Sequence, residues 1–170
     1  MINGLLVIIP CGAGKIWDNY PTHKSCPAKD AYTGSPFKVN RQYAEKFAEK
    51  WVILSAKYGY IEPTFVIPED YNVTFKDIRT DPVVVDTLKQ QIHEKSLDRY
   101  SSIIGLGGIE YRNLIQQSFA SHNKQIQFPF AGLGLRIGET MSCIKLCISK
   151  GEPYPSNMKS IEVKESIIQL

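Results

Sequence analysis

The chain has 170 residues, 43% of them apolar and 22% charged, with a net charge of +3. That composition suits one domain with a real core, and so mild a positive charge permits a polyanionic partner without demanding one. No apolar stretch reaches membrane-spanning length, and residues 5–9 are too short and lack the basic lead-in of a signal peptide. A cytoplasmic protein with no membrane partner is the expectation.

Residues 4–9 (GLLVII) read as a fully buried strand, because the branched aliphatics run unbroken. Residues 10–35 form a long loop rich in Pro, Gly, Lys and Asp, and such loops in compact domains are usually functional. Ser35-Pro36 opens a helix with Ser as its cap, and Phe37, Tyr43, Ala44, Phe47 and Ala48 keep helical spacing. Residues 51–55 (WVILS) are a second buried strand, and a second polar loop follows through residue 75. Asp81-Pro82 caps a helix reaching about residue 95. Residues 101–106 are a third strand, and Gly107-Gly108 leads into a helix over 109–121. Residues 125–128 form a short fourth strand and 137–149 a last helix. The tail from Gly151 is polar, with 160–166 (SIEVKES) as a candidate edge strand. The division expected is a single α/β catalytic domain over 1–150 and a C-terminal extension over 151–170.

Four alternations of strand and helix predict a three-layer α/β/α fold with a four-stranded, mostly parallel sheet. In such sheets the loops after the strands converge on one crevice. Here those loops are 10–35, 56–72, 107–111 and 129–139.

The first of them, PCGAGK, is not a nucleotide-triphosphate loop. That motif needs a Gly where Ile9 stands and a hydroxyl residue where Ile16 follows Lys15. Gly12 and Gly14 still allow a close backbone approach to a ligand, and Lys15 can meet an anion or simply be solvated. Cys11, Cys26, Cys143 and Cys147 lack Cys-x-x-Cys spacing, and His23, His93 and His122 are scattered. Neither a metal nor a cofactor is expected.

The segments PCGAGK, CPAKDAYTGSPF, WVILSAKYGY, GLGGIEY and PFAGLGLRIGE together resemble a bacterial and phage family of small proteins. Its pattern runs Cys-Gly-Lys-Lys, Pro-Ala-x-Asp-Leu-Tyr-Thr-Gly, Trp-x-Ile-Leu-Ser-Ala-Lys-Tyr-Gly-Leu and Pro-Leu-x-Gly-Leu-Gly-Ile-Gly. The likeness covers residues 7–139. That family resembles the uracil-DNA-glycosylase-like superfamily, which implies strand order 2-1-3-4. PCGAGK is also similar to a stretch of archaeosine synthase, which acts on a modified base in transfer RNA. The Gly-Gln-Asp-Pro-Tyr-His and His-Pro-Ser blocks of uracil-DNA glycosylases are absent, so uracil is not the implied base. The resemblance implies a DNA glycosylase removing a modified base, for instance a glucosylated one, with defence against phage as one role. DNA carrying such bases is then the partner, and no obligatory protein partner is implied. The alternatives are an N-glycosidase or deoxyribosyltransferase acting on free nucleosides or nucleotides, and a non-catalytic module that binds a modified base.

Breaking an N-glycosidic bond builds positive charge on the sugar and negative charge on the base, so a carboxylate and hydrogen-bond donors are sought. Asp30 is the first choice for the carboxylate, against a role capping a turn. Glu139 is the second, against simple favour from the helix dipole. Lys57 is either a phosphate contact, a Schiff-base nucleophile or an exposed charge. Cys11, Gly12, Lys15, Tyr32, Tyr58, Gly108, Glu110, Tyr111 and Arg136 complete the expected substrate-binding set, with Tyr32 and Tyr111 as stacking rings. Lys24, Lys29, Lys38 and Arg41 beside Trp17 and Tyr20 add the mixture of cations and rings that suits a nucleic acid.

Overall fold

The structure, a computed structural model, describes residues 1–155. The candidate edge strand at 160–166 and most of the expected extension lie outside the described residues. Strand β1 (Ile2–Pro10) is the centre of the fold. Its alternate side chains divide the interior into two clusters: Leu5, Val7 and Ile9 enter one, Leu6 and Ile8 the other. Each buried aliphatic contributes about 1.5–3 kcal/mol, which is why this unbroken run settles between two helical layers.

The long loop after β1 is more ordered than its composition suggests. It holds two single-turn helices, α1 (Ile16–Asn19) and α2 (Ala28–Ala31), and the strand β2 (Cys26–Pro27). A bridge between Lys15 and Tyr32 and the 3.0 Å bond from the Thr33 amide to the Gly14 carbonyl close it on itself. Helix α3 (Ser35–Phe47) follows with Gly34, not Ser35, at its cap, and leads directly into β3 (Ala48–Ser55).

Next come β4 (Gly59–Ile61), β5 (Val66–Ile67), a 3-10 turn at Ile78–Thr80 and α4 (Val85–Glu94). Asp81-Pro82 does not start α4. Asp81 has φ 57° and closes the 3-10 turn, and the Val83 amide is held by the Ala56 carbonyl at 2.8 Å, so the helix begins later. The described chain continues through β6 (Ser102–Gly105), α5 (Ile109–Phe119), β7 (Gln125–Gln127) and α6 (Ile137–Lys150).

The main sheet has five strands instead of the expected four: the four expected ones, β3, β1, β6 and β7, lie side by side in the expected order, and β4 is added at one edge. Five strands lie in the order β4-β3-β1-β6-β7, all parallel except β4, which runs antiparallel to β3. Gly59, at φ 74°, turns the chain back so that Tyr60 pairs with Leu54. The Gln91 side chain of α4 then satisfies the outer edge, accepting from the Tyr60 amide at 2.8 Å and donating to the Tyr58 carbonyl at 2.9 Å. Helices α3 and α6 cover one face, and α4 and α5 the other. Among the described residues no helix is long and apolar enough to cross a membrane.

The chain leaves β1 toward β3 on one side and returns to β6 on the other. The order therefore reverses between β1 and β6, and a crevice opens beyond the carboxyl ends of such a pair. Register places Ile8 opposite Gly105, so Pro10 and Gly107 emerge together at that edge.

Candidate functional site

A cleft of about 820 Å³ occupies this position, within the size range of small-molecule sites. Its floor is the ends of β1 and β6, Pro10 to Lys15 and Gly105 to Gly108. Gly107 has φ 120°, and a Cβ there would stand 3.2 Å from both Pro10 and the Tyr111 Cβ, so only glycine lets the two strand ends converge. One wall comes from α3 (Pro36, Phe37, Asn40), the opposite one from α5 (Tyr111, Arg112). Residues 71–76 and the segment from Phe128 to Ile144 close the ends.

Lys15 lines the cleft but is largely committed. It is 8% exposed, and its ammonium donates to the Tyr71 carbonyl at 2.8 Å and the Ala13 carbonyl at 3.4 Å. It also lies 4.5 Å from the centre of the Tyr71 ring and 3.9 Å from an Asp70 carboxylate oxygen. The Cys11 thiol and Tyr111 hydroxyl are 3.3 Å apart across the floor. Burial pushes the Cys11 thiol up, so it stays protonated at neutral pH and is a poor nucleophile. Gly12 and Gly108 are in the lining as expected.

Tyr32 lies beneath the floor, buried, with its hydroxyl 2.5 Å from that of Tyr71, which is 3.1 Å from Ser55 Oγ. Burial raises both phenols, that of Tyr71 to about 12. This chain of hydroxyls ties α2 to β3, and the Tyr32 ring packs on Phe37 at 5.0 Å. Tyr58 packs on Phe65 and Tyr71, with its hydroxyl buried and unpartnered.

Seven of the expected residues do not line the cleft, Tyr32 and Tyr58 among them. Asp30 has a side chain 51% exposed and pairs with Arg41 at 3.2 Å. Glu139 caps α6: it accepts from the Arg136 amide at 2.7 Å and from the Arg136 guanidinium at 3.1 Å. Those bonds hold its carboxyl below the usual range and occupy Arg136 as well. Lys57 is exposed, its ammonium 5.3 Å from the Tyr58 ring and 5.4 Å from the Tyr71 ring. Glu110 stands at the rim, its Oε2 only 3.2 Å from where a Cβ on Gly108 would be. The physical reason is common to the acids: an exposed carboxylate at a helix start or beside an arginine gains more there than in a low-dielectric pocket. None of the described residues lining the cleft is Asp or Glu.

The lining instead contains polar groups that motif reading missed. Asn40 is 7% exposed and makes no hydrogen bond through its side chain among the described residues. Arg112 has a buried Nε with no acceptor. Both were detectable by spacing. Asn40 falls on the stripe of Phe37, Ala44 and Phe47, and Arg112 on that of Ile115 and Phe119, where apolar residues belong. Rings of Phe37, Tyr71, Tyr111, Phe128 and Phe130 complete the walls. Among the described residues no group of three His, Cys, Asp or Glu is placed to hold a metal ion.

A pocket with orphaned donors, aromatic walls and three cations (Lys15, Lys76, Arg112) suits a planar, polar, anionic ligand. Among known proteins, the uncharacterized protein YfjM of Bacillus subtilis (strain 168) is 36% identical over 132 residues, 76% of this chain and 87% of that protein. No solved structure matches. Residues 6–146 match a family described as of unknown function, DUF6884, and this span holds every residue lining the cleft. The chain belongs to the DUF6884 family.

Proposed function

We propose that the protein is a DNA N-glycosylase that takes a modified nucleotide into this cleft and releases its base. The observation that carries the reading is the Asn40 amide, which makes no hydrogen bond among the described residues and lines an aromatic-walled cleft at the reversal point of the sheet. An amide offers donor and acceptor together, which is what the hydrogen-bonding edge of a flipped base presents. A volume of about 820 Å³ leaves room for a decorated base.

The chemistry is weighted toward the leaving group. As the C1′–N bond breaks, its electron pair departs with the base, and the Asn40 amide donates to the atom on which that negative charge develops. Water adds to C1′, and its proton ends on the released base. The sugar cation is electrophilic enough to be captured by neutral water, so a lining carboxylate is not required. Removal of decorated bases from invading phage DNA is the role that follows.

A second reading has one observation in its favour. A lining free of carboxylates also suits a module that binds a modified nucleotide without cleaving it. Incubation with phage DNA rich in modified bases, followed by mass spectrometry of the small-molecule fraction, separates the two. Free base, lost in Asn40→Ala and retained in Asp30→Asn, is expected. Tight binding with no free base from any such DNA overturns the enzyme reading in favour of the module.

A further inference from the structure

We infer that the cleft contains a phosphate subsite, built from Arg112, Lys76 and the first turn of α5, that grips the target nucleotide by its backbone. This rests on the reading of the cleft as a nucleotide site, though not on catalysis. Arg112 is the main observation. Its side chain lines the cleft, its Nε is buried without an acceptor, and none of its donors has a partner among the described residues, so the guanidinium is left for a ligand. The fork of a guanidinium matches two oxygens of a phosphate.

Three features place the ligand's charge at this end. Lys15 already spends its ammonium on two carbonyls and lies near Asp70, so the uncommitted positive charge belongs to Arg112 and the exposed Lys76. Neither makes an ion pair among the described residues. The α5 cap is Gly108, without a side-chain cap, so the first amides of an eleven-residue helix are left for an anion. Asn40, whose side chain makes no hydrogen bond among the described residues, stands on the opposite wall, since α3 and α5 cover opposite faces of the sheet. Phosphate at Arg112 and base at Asn40 therefore span the cleft. Glu110 beside Gly108 is a like charge that an arriving phosphate has to tolerate.

The test is calorimetric titration with the four 2′-deoxynucleoside 5′-monophosphates, the matching nucleosides, inorganic phosphate and a single-stranded tetranucleotide. Monophosphates should bind at least about tenfold tighter than nucleosides, with the gap shrinking as salt rises. Arg112→Gln should reduce the gap to about threefold or less, Lys76→Gln should narrow it, and Glu110→Gln should widen it. Equal binding of nucleosides and monophosphates overturns the inference, as does a gap that survives Arg112→Gln with an unchanged circular dichroism spectrum. Should that variant fail to fold, competition in the parent decides: inorganic phosphate must displace the monophosphate, and failure to do so refutes the subsite. Tetranucleotide binding with the same dependence on Arg112 supports DNA as the source of the phosphate, whereas binding of monoesters alone rejects it. A persistent gap without base release leaves the subsite standing and removes catalysis; base release without the gap does the reverse.

Discussion

Asn40→Leu should stabilise the protein while destroying ligand recognition. Asn40 sits inside α3 at 7% exposure, with no partner for its amide among the described residues. An unsatisfied buried polar group costs about 1–3 kcal/mol, and the lower part of that range applies because the amide faces a cleft that admits water. Leucine has similar volume, adds apolar contact with Phe37 and Ala44 on the same stripe, and improves helix propensity by about 0.4 kcal/mol. The net expectation is a gain of about 1 kcal/mol, or a rise in Tm of roughly 2–4 °C for a chain of this size. Urea unfolding followed by circular dichroism, with scanning calorimetry, measures it. A loss of about 1 kcal/mol or more would mean that the amide is committed to the fold, and the argument that it is held for a ligand would fall. A gain paired with intact nucleotide binding would be equally damaging.

Lys15→Met should cost about 2 kcal/mol in urea unfolding, because the Tyr71 carbonyl loses a charge-assisted bond in a nearly dry position; a cost under about 0.5 kcal/mol would show the lysine to be free for ligands. Cys11 should alkylate slowly at neutral pH, with a rate midpoint above that of an ordinary thiol, since burial disfavours its thiolate. Removing the Tyr111 hydroxyl by Tyr111→Phe takes away a bond that favours the thiolate, so labelling should slow further; fast labelling below about pH 8, mapped to Cys11 by peptide mass spectrometry, contradicts this. The depressed carboxyl of Glu139 stabilises α6 fully above the ordinary glutamate value, and that contribution fades as pH falls through its lower folded value. The difference in stability between parent and Glu139→Ala should therefore vanish in acid, and a difference that persists unchanged there refutes the capping account.

Regular elements with a strong period were legible. The aliphatic run of β1 and the helical stripes of α3 and α5 follow directly from which side chains must leave water. The edge strand β4 was not, because three residues carry no period and its pairing depends on Gly59 and on Gln91 from a distant helix. The start of α4 was misplaced because Asp81-Pro82 has the composition of a helix cap, while the left-handed Asp81 ends a turn instead. Sequence order brought the correct loops to the crevice, since the positions of strand ends are topological. It did not tell which way their side chains point. Asp30 and Glu139 are adjacent to cleft-forming segments yet turn to Arg41 and to the α6 amide. Asn40 and Arg112 belong to no motif and lie inside amphipathic helices, where polar residues ordinarily face solvent. A polar residue on the apolar stripe was the available signal.

The central claim is that the ligand enters between the ends of β1 and β6, and amide chemical-shift mapping tests it most directly. Titration of isotopically labelled protein with an oligonucleotide carrying a modified base should move Gly12, Gly14, Gly107, Gly108, Arg112 and the Asn40 side-chain amide, leaving Asp30, Lys57 and Glu139 still. Shifts centred on Asp30 and Lys57, with the glycines of the cleft unmoved, would contradict the account.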